Sequence, residues 1–151
     1  MLNVGDKAPA FSLEDQNGEN VSLEHSKGKK VLIWFFPKAS TPGWTVQGQG
    51  LRDEFQNFQD NNVEIFGVSA DSVKAQKSFC DKQKFPFSLL SDPSKEIIKA
   101  YDAWGPKKFM GREYEGIHRY SYLIDENGTV ERAYPKVKTK TFAQDVLADI
   151  G

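Results

Sequence analysis

The chain has 151 residues, of which 38% are hydrophobic and 13% aromatic. A chain of this size can bury roughly 70% of its unfolded surface, so we expect a single domain over residues 1–151. Lys and Arg number 20, and Asp and Glu number 21. This balance leaves no excess charge to recruit nucleic acid or an anionic membrane, and we expect neither as a partner.

Cysteine and histidine are scarce. Cys80 is the one cysteine, which excludes an internal disulfide and a cysteine-based metal cluster. His25 and His118 lie far apart in sequence and together are poor material for a zinc site, so we expect no metal or other cofactor. No apolar run approaches the ~20 residues of a membrane span, and the N-terminus lacks a signal-peptide profile. The sequence therefore predicts a soluble, cytoplasmic protein.

The first 30 residues predict a β-hairpin. Residues 10–13 and 20–23 alternate apolar and polar side chains, and Asn17-Gly18 between them is a strong turn signal. A polar loop from His25 to Lys30 then leads into the stretch around which the chain is organised.

That stretch runs from Val31 to Arg52. Residues 31–36 are apolar, and all but one are β-branched or aromatic, which is typical of a central strand buried on both faces. Pro37 ends the pairing, and a helix follows with apolar residues at i, i+4 and i+7. A strand that runs through a short loop into a helix directs N–H groups and a positive helix end at one point, where an anion is stabilised. An ordinary strand–helix connection is the alternative interpretation.

The remaining elements alternate between strands and helices. A strand at 63–69 and the preceding helix complete a parallel βαβ unit. We expect a helix at 72–84, a strand at 87–90, a helix that starts near Asp92-Pro93, a hairpin formed by 118–124 and 129–134, and an amphipathic helix at 138–150. The predicted fold class is α/β: a mixed central sheet with helices on both faces and an N-terminal β-hairpin.

Four segments resemble one family of proteins. They are GDKAPAFSLEDQNG, FFPKASTPGWTVQGQGLRDEF, PFSLLSDPSKEIIKAY and WGPKKFMGREYEGIHRYSYLIDENG. They are similar to peroxiredoxins of the bacterioferritin comigratory protein (peroxiredoxin Q) branch, and they cover nearly the full length. The resemblance implies a thioredoxin-like fold, a monomer, and reduction of hydrogen peroxide and organic hydroperoxides with thioredoxin or a similar dithiol reductant.

The resemblance also implies the site residues. The family's active loop reads Pro-x-x-x-Thr/Ser-x-x-Cys, and here Pro37, Thr41 and Trp44 occupy that register. Arg119 stands where the family places a distant arginine; an exposed salt-bridging arginine is the alternative interpretation. Trp44 occupies the position of the peroxide-attacking cysteine. Because an indole provides no thiolate, the chain is predicted to be catalytically inactive as written. An engineered replacement and a natural loss both fit this residue.

Cys80 has two interpretations. One subgroup of the family carries its resolving cysteine in the helix after the second strand, and Cys80 lies 36 residues after position 44, as that subgroup requires. The other subgroup places it five residues after the first cysteine, where this chain has Gln49. A small buried hydrophobe on a helix face is the alternative for any lone cysteine.

Three functions remain open at this stage. The chain is a thioredoxin-dependent peroxidase disabled at one residue, or a non-enzymatic thioredoxin-fold module that binds a ligand in the vestigial pocket. The third possibility is a redox-sensing protein in which Cys80 forms mixed disulfides.

Overall fold

A strand buried on both faces lies inside a seven-stranded mixed sheet. The computed structural model describes residues 1–37, 42–109, 111–135 and 138–150, apart from the side chains of residues 42–44 and 109. The strands of the main sheet are β1 (Ser12–Glu14), β2 (Asn20–Ser22), β3 (Lys30–Phe35), β4 (Val63–Ser69), β5 (Ser88–Ser91), β8 (Ser121–Ile124) and β9 (Val130–Tyr134). Their order is β2-β1-β5-β4-β3-β8-β9. Strands β3, β4 and β5 run parallel, and the other pairs are antiparallel.

Five α-helices, a short 3-10 helix (Leu23–Ser26) and a second, two-stranded sheet complete the described residues. The helices are α1 (Pro42–Asp53), α2 (Phe55–Asp60), α3 (Val73–Gln83), α4 (Glu96–Ala100) and α5 (Phe142–Ile150). The second sheet pairs β6 (Trp104–Phe109) with β7 (Arg112–Ile117). Within the described ranges, no helix is both long and apolar enough to cross a membrane.

The alternation of β3 side chains divides the core into two layers. Leu32, Trp34 and Phe36 pack with residues of α1, α2, α3 and α5 on one face. Val31, Ile33 and Phe35 pack on the other face with the N-terminal segment, α4 and the residues that follow it. All six residues are almost fully buried. The prediction that 31–36 is a central strand is therefore confirmed, with the ladder one residue earlier at each end.

Two predicted elements form with recognisable end signals, although the first strand of the hairpin lies at 12–14 and was predicted at 10–13. Gly18 has a φ of +77° in the turn between β1 and β2, a conformation that glycine adopts without steric cost. Helix α3 begins after Ser72, whose hydroxyl accepts a hydrogen bond from the Ala75 N–H at 3.1 Å. It ends at Lys84 in the left-handed region.

Other boundaries were predicted wrongly. The helix after β3 is interrupted at Glu54, so its apolar residues are divided between α1 and α2. The helix expected near Asp92-Pro93 begins only at Glu96, because the Asp92 carboxylate closes a loop by accepting hydrogen bonds from Ser94 Oγ at 3.0 Å and the Ile98 N–H at 2.9 Å. The C-terminal helix begins at Phe142 instead of Lys138.

The hairpin of β6 and β7 is absent from the sequence prediction. Its residues, WGPKKFMGREYEGI, carry no run of alternating apolar side chains. Polar cross-strand contacts support it instead: Lys108 Nζ lies 3.5 Å from the Glu113 carboxylate, and the Trp104 indole donates to Glu115 at 3.3 Å. Gly111 provides the turn with a φ of +79°.

Gly67→Ala should lower the free energy of unfolding by about 1–3 kcal/mol, the usual effect of an added methyl group in a packed core. A Cβ at Gly67 would lie 2.8 Å from Leu89 Cδ2 and 2.9 Å from Trp34 Cε2. Urea denaturation followed by circular dichroism measures the change. Gly50→Ala is the matched control, since its Cβ would meet Ala143 at an ordinary 3.9 Å, and it should raise stability by up to about 1 kcal/mol. Equal stability of Gly67→Ala and the unmodified chain would contradict the packing argument.

Candidate active site

The loop predicted to carry the site leaves the carboxyl end of β3. Pro37 lies in a bend there and is partly buried, and α1 begins at Pro42. No acidic residue occupies the first turn of α1, so no local carboxylate offsets the positive end of this 12-residue helix. Thr41 lies outside the described residues. Trp44 lies in the first turn of α1, and its side chain is outside the description as well.

The chain segment that carries Arg119 lies beside the end of β3. The Phe35 N–H donates to the carbonyl oxygen of Tyr120 at 3.1 Å, and the Phe36 N–H donates to Val68 at 3.1 Å on the other side. Residues 119–120 and the start of the loop are thus held together by the backbone. The Arg119 side chain is exposed. The structure therefore brings Arg119 and Pro37 to the same edge of the sheet.

Two more basic residues lie close to Arg119. The Lys107 ammonium donates to the Ile117 carbonyl at 2.9 Å. Partial burial lowers the pKa of Lys107, and the positive charge of Arg119 lowers it further. The pKa of His118 is also lowered, first by burial and then by Lys107, with a smaller opposing effect of Asp102. Lys107 and Arg119 therefore bring two basic groups together at this end of the sheet, whereas the lowered pKa of His118 disfavours its charged form.

Cys80 lies in the interior layer formed by α1, α3 and the sheet. It is 6% exposed, and its Sγ donates to the Phe85 carbonyl at 3.3 Å. Burial raises the pKa of the Cys80 thiol, and Asp81 raises it further. A raised pKa reduces the thiolate fraction at neutral pH, so this sulfur is not activated as a nucleophile in the folded state.

The segment that covers Cys80 is held down by α1. Gln49 Nε2 donates to Gln83 Oε1 at 2.9 Å, and Arg52 Nη1 donates to the Gln83 carbonyl at 2.8 Å. Gly48 faces the Phe85 ring so closely that a Cβ would lie 2.5 Å from it. Gln49, the alternative position for a second cysteine, therefore contributes a polar contact between α1 and the end of α3.

Gln47 is a residue of this region that the sequence reasoning missed. It lies three residues after position 44, so it is one turn further along α1, and its side chain is 1% exposed. Neither its Nε2 nor its Oε1 has a hydrogen-bond partner within the described part of the chain. A polar side chain gives no sequence signal for burial, and only the fold shows that Gln47 points inward.

Among the described residues, no group of three or more His, Cys, Asp or Glu side chains could hold a metal ion. The groups described at this end of the sheet are the N-terminus of α1, Arg119 and Lys107.

Solved structures with the same architecture are peroxiredoxins. The bacterioferritin comigratory protein of Xanthomonas campestris, described for its alkyl peroxide reduction activity, superposes with a TM-score of 0.91 at 34% identity, covering 98% of this chain and 97% of that one. Peroxiredoxin Q of Xanthomonas campestris has a TM-score of 0.88 at 36% identity, with 93% and 89% covered. Its serine mutants replace two cysteines that lie 36 residues apart. The predicted thioredoxin-like fold is confirmed.

Sequence comparison agrees with the structural one. A model of the AhpC/TSA family matches residues 4–133, and the chain belongs to that family. Peroxiredoxin Bcp of Escherichia coli K12 is 43% identical over 146 residues, which cover 97% of this chain and 94% of that protein. The resemblance to the bacterioferritin comigratory protein branch is thus confirmed, whereas the roles of individual residues stay predictions.

Lys107→Met should raise the pKa of His118, because the charge of Lys107 is the second cause, after burial, that keeps this pKa low. His118 should then remain protonated to a higher pH than in the unmodified chain. An NMR titration of the imidazole Cε1 proton measures the shift. Lys108→Met is the control, since Lys108 is 76% exposed and pairs with Glu113. Equal shifts in both variants would contradict the assignment.

Cys80 should react slowly with a thiol reagent in native buffer and rapidly in denaturant, because it is buried and its pKa is raised. Arg52→Met should accelerate the native reaction by removing the contact to Gln83 that closes the end of α3. Absorbance at 412 nm with an aromatic disulfide reagent records both rates. Rapid native modification of the unmodified chain would show instead that α3 opens readily.

Proposed function

We propose that this chain is a peroxiredoxin scaffold that has lost its attacking thiol at position 44 and is inactive as a peroxidase. The observation that carries the proposal is the identity of Trp44 within an otherwise matching loop, PKASTPGW. Support for the register comes from spacing: position 44 and Cys80 are 36 residues apart, as are the two cysteines replaced in Xanthomonas campestris peroxiredoxin Q.

The steps of the thiol peroxidase reaction show which group this chain lacks. In a thiol peroxidase, a thiolate sulfur attacks one peroxide oxygen, the O–O bond breaks, and the sulfur is oxidised to a sulfenic acid. The departing oxygen takes the electron pair of that bond and a proton, leaving as water or an alcohol. Thr41 and Arg119 are proposed to hold the peroxide and to stabilise the charge on the departing oxygen. Trp44 has no sulfur and no ionisable nucleophile, so the first bond cannot form.

Cys80 is a poor substitute for the missing thiol. It lies beneath the α1–α3 contact, it is 6% exposed, and its raised pKa disfavours the thiolate. The same burial argues against a sensor that forms mixed disulfides with Cys80, since exchange requires an accessible thiolate. In an active relative of this scaffold, Cys80 would resolve the sulfenic acid as a disulfide that thioredoxin or a similar dithiol then reduces. No described feature favours a separate ligand-binding role over loss of catalysis.

The proposed setting is a monomer in the cytoplasm. One cysteine removes any need for an oxidising compartment. The outer strand β2 is only three residues long, and the other outer strand, β9, carries Glu131 and Arg132, which discourages edge-to-edge pairing. Sedimentation velocity should give a single species of 17.0 kDa, and a tight dimer would contradict the monomer.

The unmodified chain should consume hydrogen peroxide no faster than a blank in the presence of thioredoxin and its reductase, and Trp44→Cys should restore turnover. Restoration follows from the proposal that the nucleophile is the one group the site lacks. Trp44→Ser is the matched control, since it removes the same bulk without adding a thiol. Peroxide disappearance measures all three proteins.

A second experiment tests the proposed role of Arg119. Adding Arg119→Ala to the Trp44→Cys variant should reduce its rate by about 10²-fold or more, the usual effect of removing a donor that stabilises developing charge. Robust turnover by the unmodified chain or by Trp44→Ser would overturn the proposed loss of function. A silent Trp44→Cys variant would show that the surrounding groups no longer form a catalytic site.

A further inference from the structure

The β6–β7 hairpin, which the sequence did not predict, directs Lys107 toward the segment of Arg119. Neighbouring residues of a strand point to opposite faces, so Lys107 and Lys108 on β6 face different surroundings. Lys108 is 76% exposed and lies 3.5 Å from Glu113. Lys107 is more enclosed and contacts the strand end that precedes Arg119. The two lysines therefore form a natural pair for comparison.

Lys107 packs across a glycine of the facing strand. Its stem crosses Gly116, where a Cβ would lie only 3.1 Å from Lys107 Cδ, and Gly105 likewise leaves room for the His118 ring. The Lys107 ammonium then donates to the Ile117 carbonyl at 2.9 Å. Within the described part of the chain, no carboxylate lies within ion-pair distance of it. Its charge is thus held in place by packing and a carbonyl.

The segment beyond Ile117 is fixed at both ends. The His118 N–H donates to the Ala103 carbonyl at 2.7 Å, and the Tyr120 carbonyl accepts from the Phe35 N–H at 3.1 Å. The His118 and Tyr120 rings stack at 5.0 Å with an interplanar angle of 18°. Arg119 is the residue between these two anchored neighbours, and Lys107 ties down the segment at its start.

We propose that Lys107 is a positioning residue for Arg119, because its ammonium group fixes the start of the Ile117–Tyr120 segment and keeps a second positive charge beside the guanidinium. This proposal rests on the proposed role of Arg119 at the peroxide site. By holding Arg119 in place, Lys107 lowers the pH at which a thiol at position 44 loses its proton.

The groups around Lys107 are consistent with this role. Arg119 and His118 face it from the segment beyond β7, and Tyr114 lies opposite it in the β6–β7 ladder. None of the three carries a negative charge at neutral pH. Asp102 is the carboxylate that acts on His118, and its effect is smaller than that of Lys107.

The test introduces a thiol by Trp44→Cys and measures its pKa from the thiolate absorbance at 240 nm. The titration of Cys80, recorded with the unmodified chain, is subtracted. Lys107→Met in this background should raise the thiol pKa by about 0.5 pH unit or more. Lys107→Arg, which keeps the charge, should restore most of the shift. Lys108→Met is the matched control and should leave the pKa unchanged. Lys107→Gln serves as a second neutral variant if circular dichroism shows that the methionine variant is unfolded.

A double-mutant comparison separates action through Arg119 from a general effect. The shift caused by Lys107→Met should fall by at least about half in an Arg119→Ala background, because coupled residues are not additive. An undiminished shift, no shift, or equal shifts in Lys107→Met and Lys107→Arg would each overturn the proposal. The thiol pKa is measurable without turnover, so a Trp44→Cys variant that is inactive yet shows the Lys107 shift would reject the proposed function and support the positioning role.

Discussion

The burial of β3 on both faces is the constraint on which the rest of the structure depends. Its six-residue apolar run separates the two core layers, and its neighbours on either side, β4 and β8, satisfy its backbone. A strand enclosed in this way has one register available, because a slip by one residue would exchange the two layers. The carboxyl end of β3 is therefore a fixed point, and the loop, the start of α1 and the segment around Arg119 are all placed relative to it.

Sequence patterns predicted the strands and helices that bury one face or both faces in the core. The two-layer character of 31–36, the strand at 63–69 and the capped helix after Ser72 all follow from local periodicity and end signals. The β6–β7 hairpin could not be predicted in this way, because it is stabilised by pairs such as Lys108–Glu113 and not by an apolar face. The late start of α4 likewise depends on how the Asp92 carboxylate distributes its hydrogen bonds, which its sequence neighbours leave open.

Site residues that belong to a family motif could be predicted from the sequence. Residues that reach the site through long-range contacts could not. Pro37 and Arg119 were identified from motif register, and the fold brings them to one sheet edge. The inward position of Gln47 and the approach of Lys107 to Ile117 depend on tertiary packing, for which the surrounding sequence carries no signal. The burial of Cys80 depends on Gln83 and Phe85 closing against α1.

The packing of Cys80 has a consequence for how such a chain changes over generations. Its sulfur fills space in the layer shared with Phe79, Phe85 and Leu51 and donates to a carbonyl. A larger side chain would displace neighbours that are themselves fully packed, and a smaller one would leave a void. The stability of this layer alone therefore disfavours the replacement of Cys80, whether or not its sulfur takes part in redox chemistry.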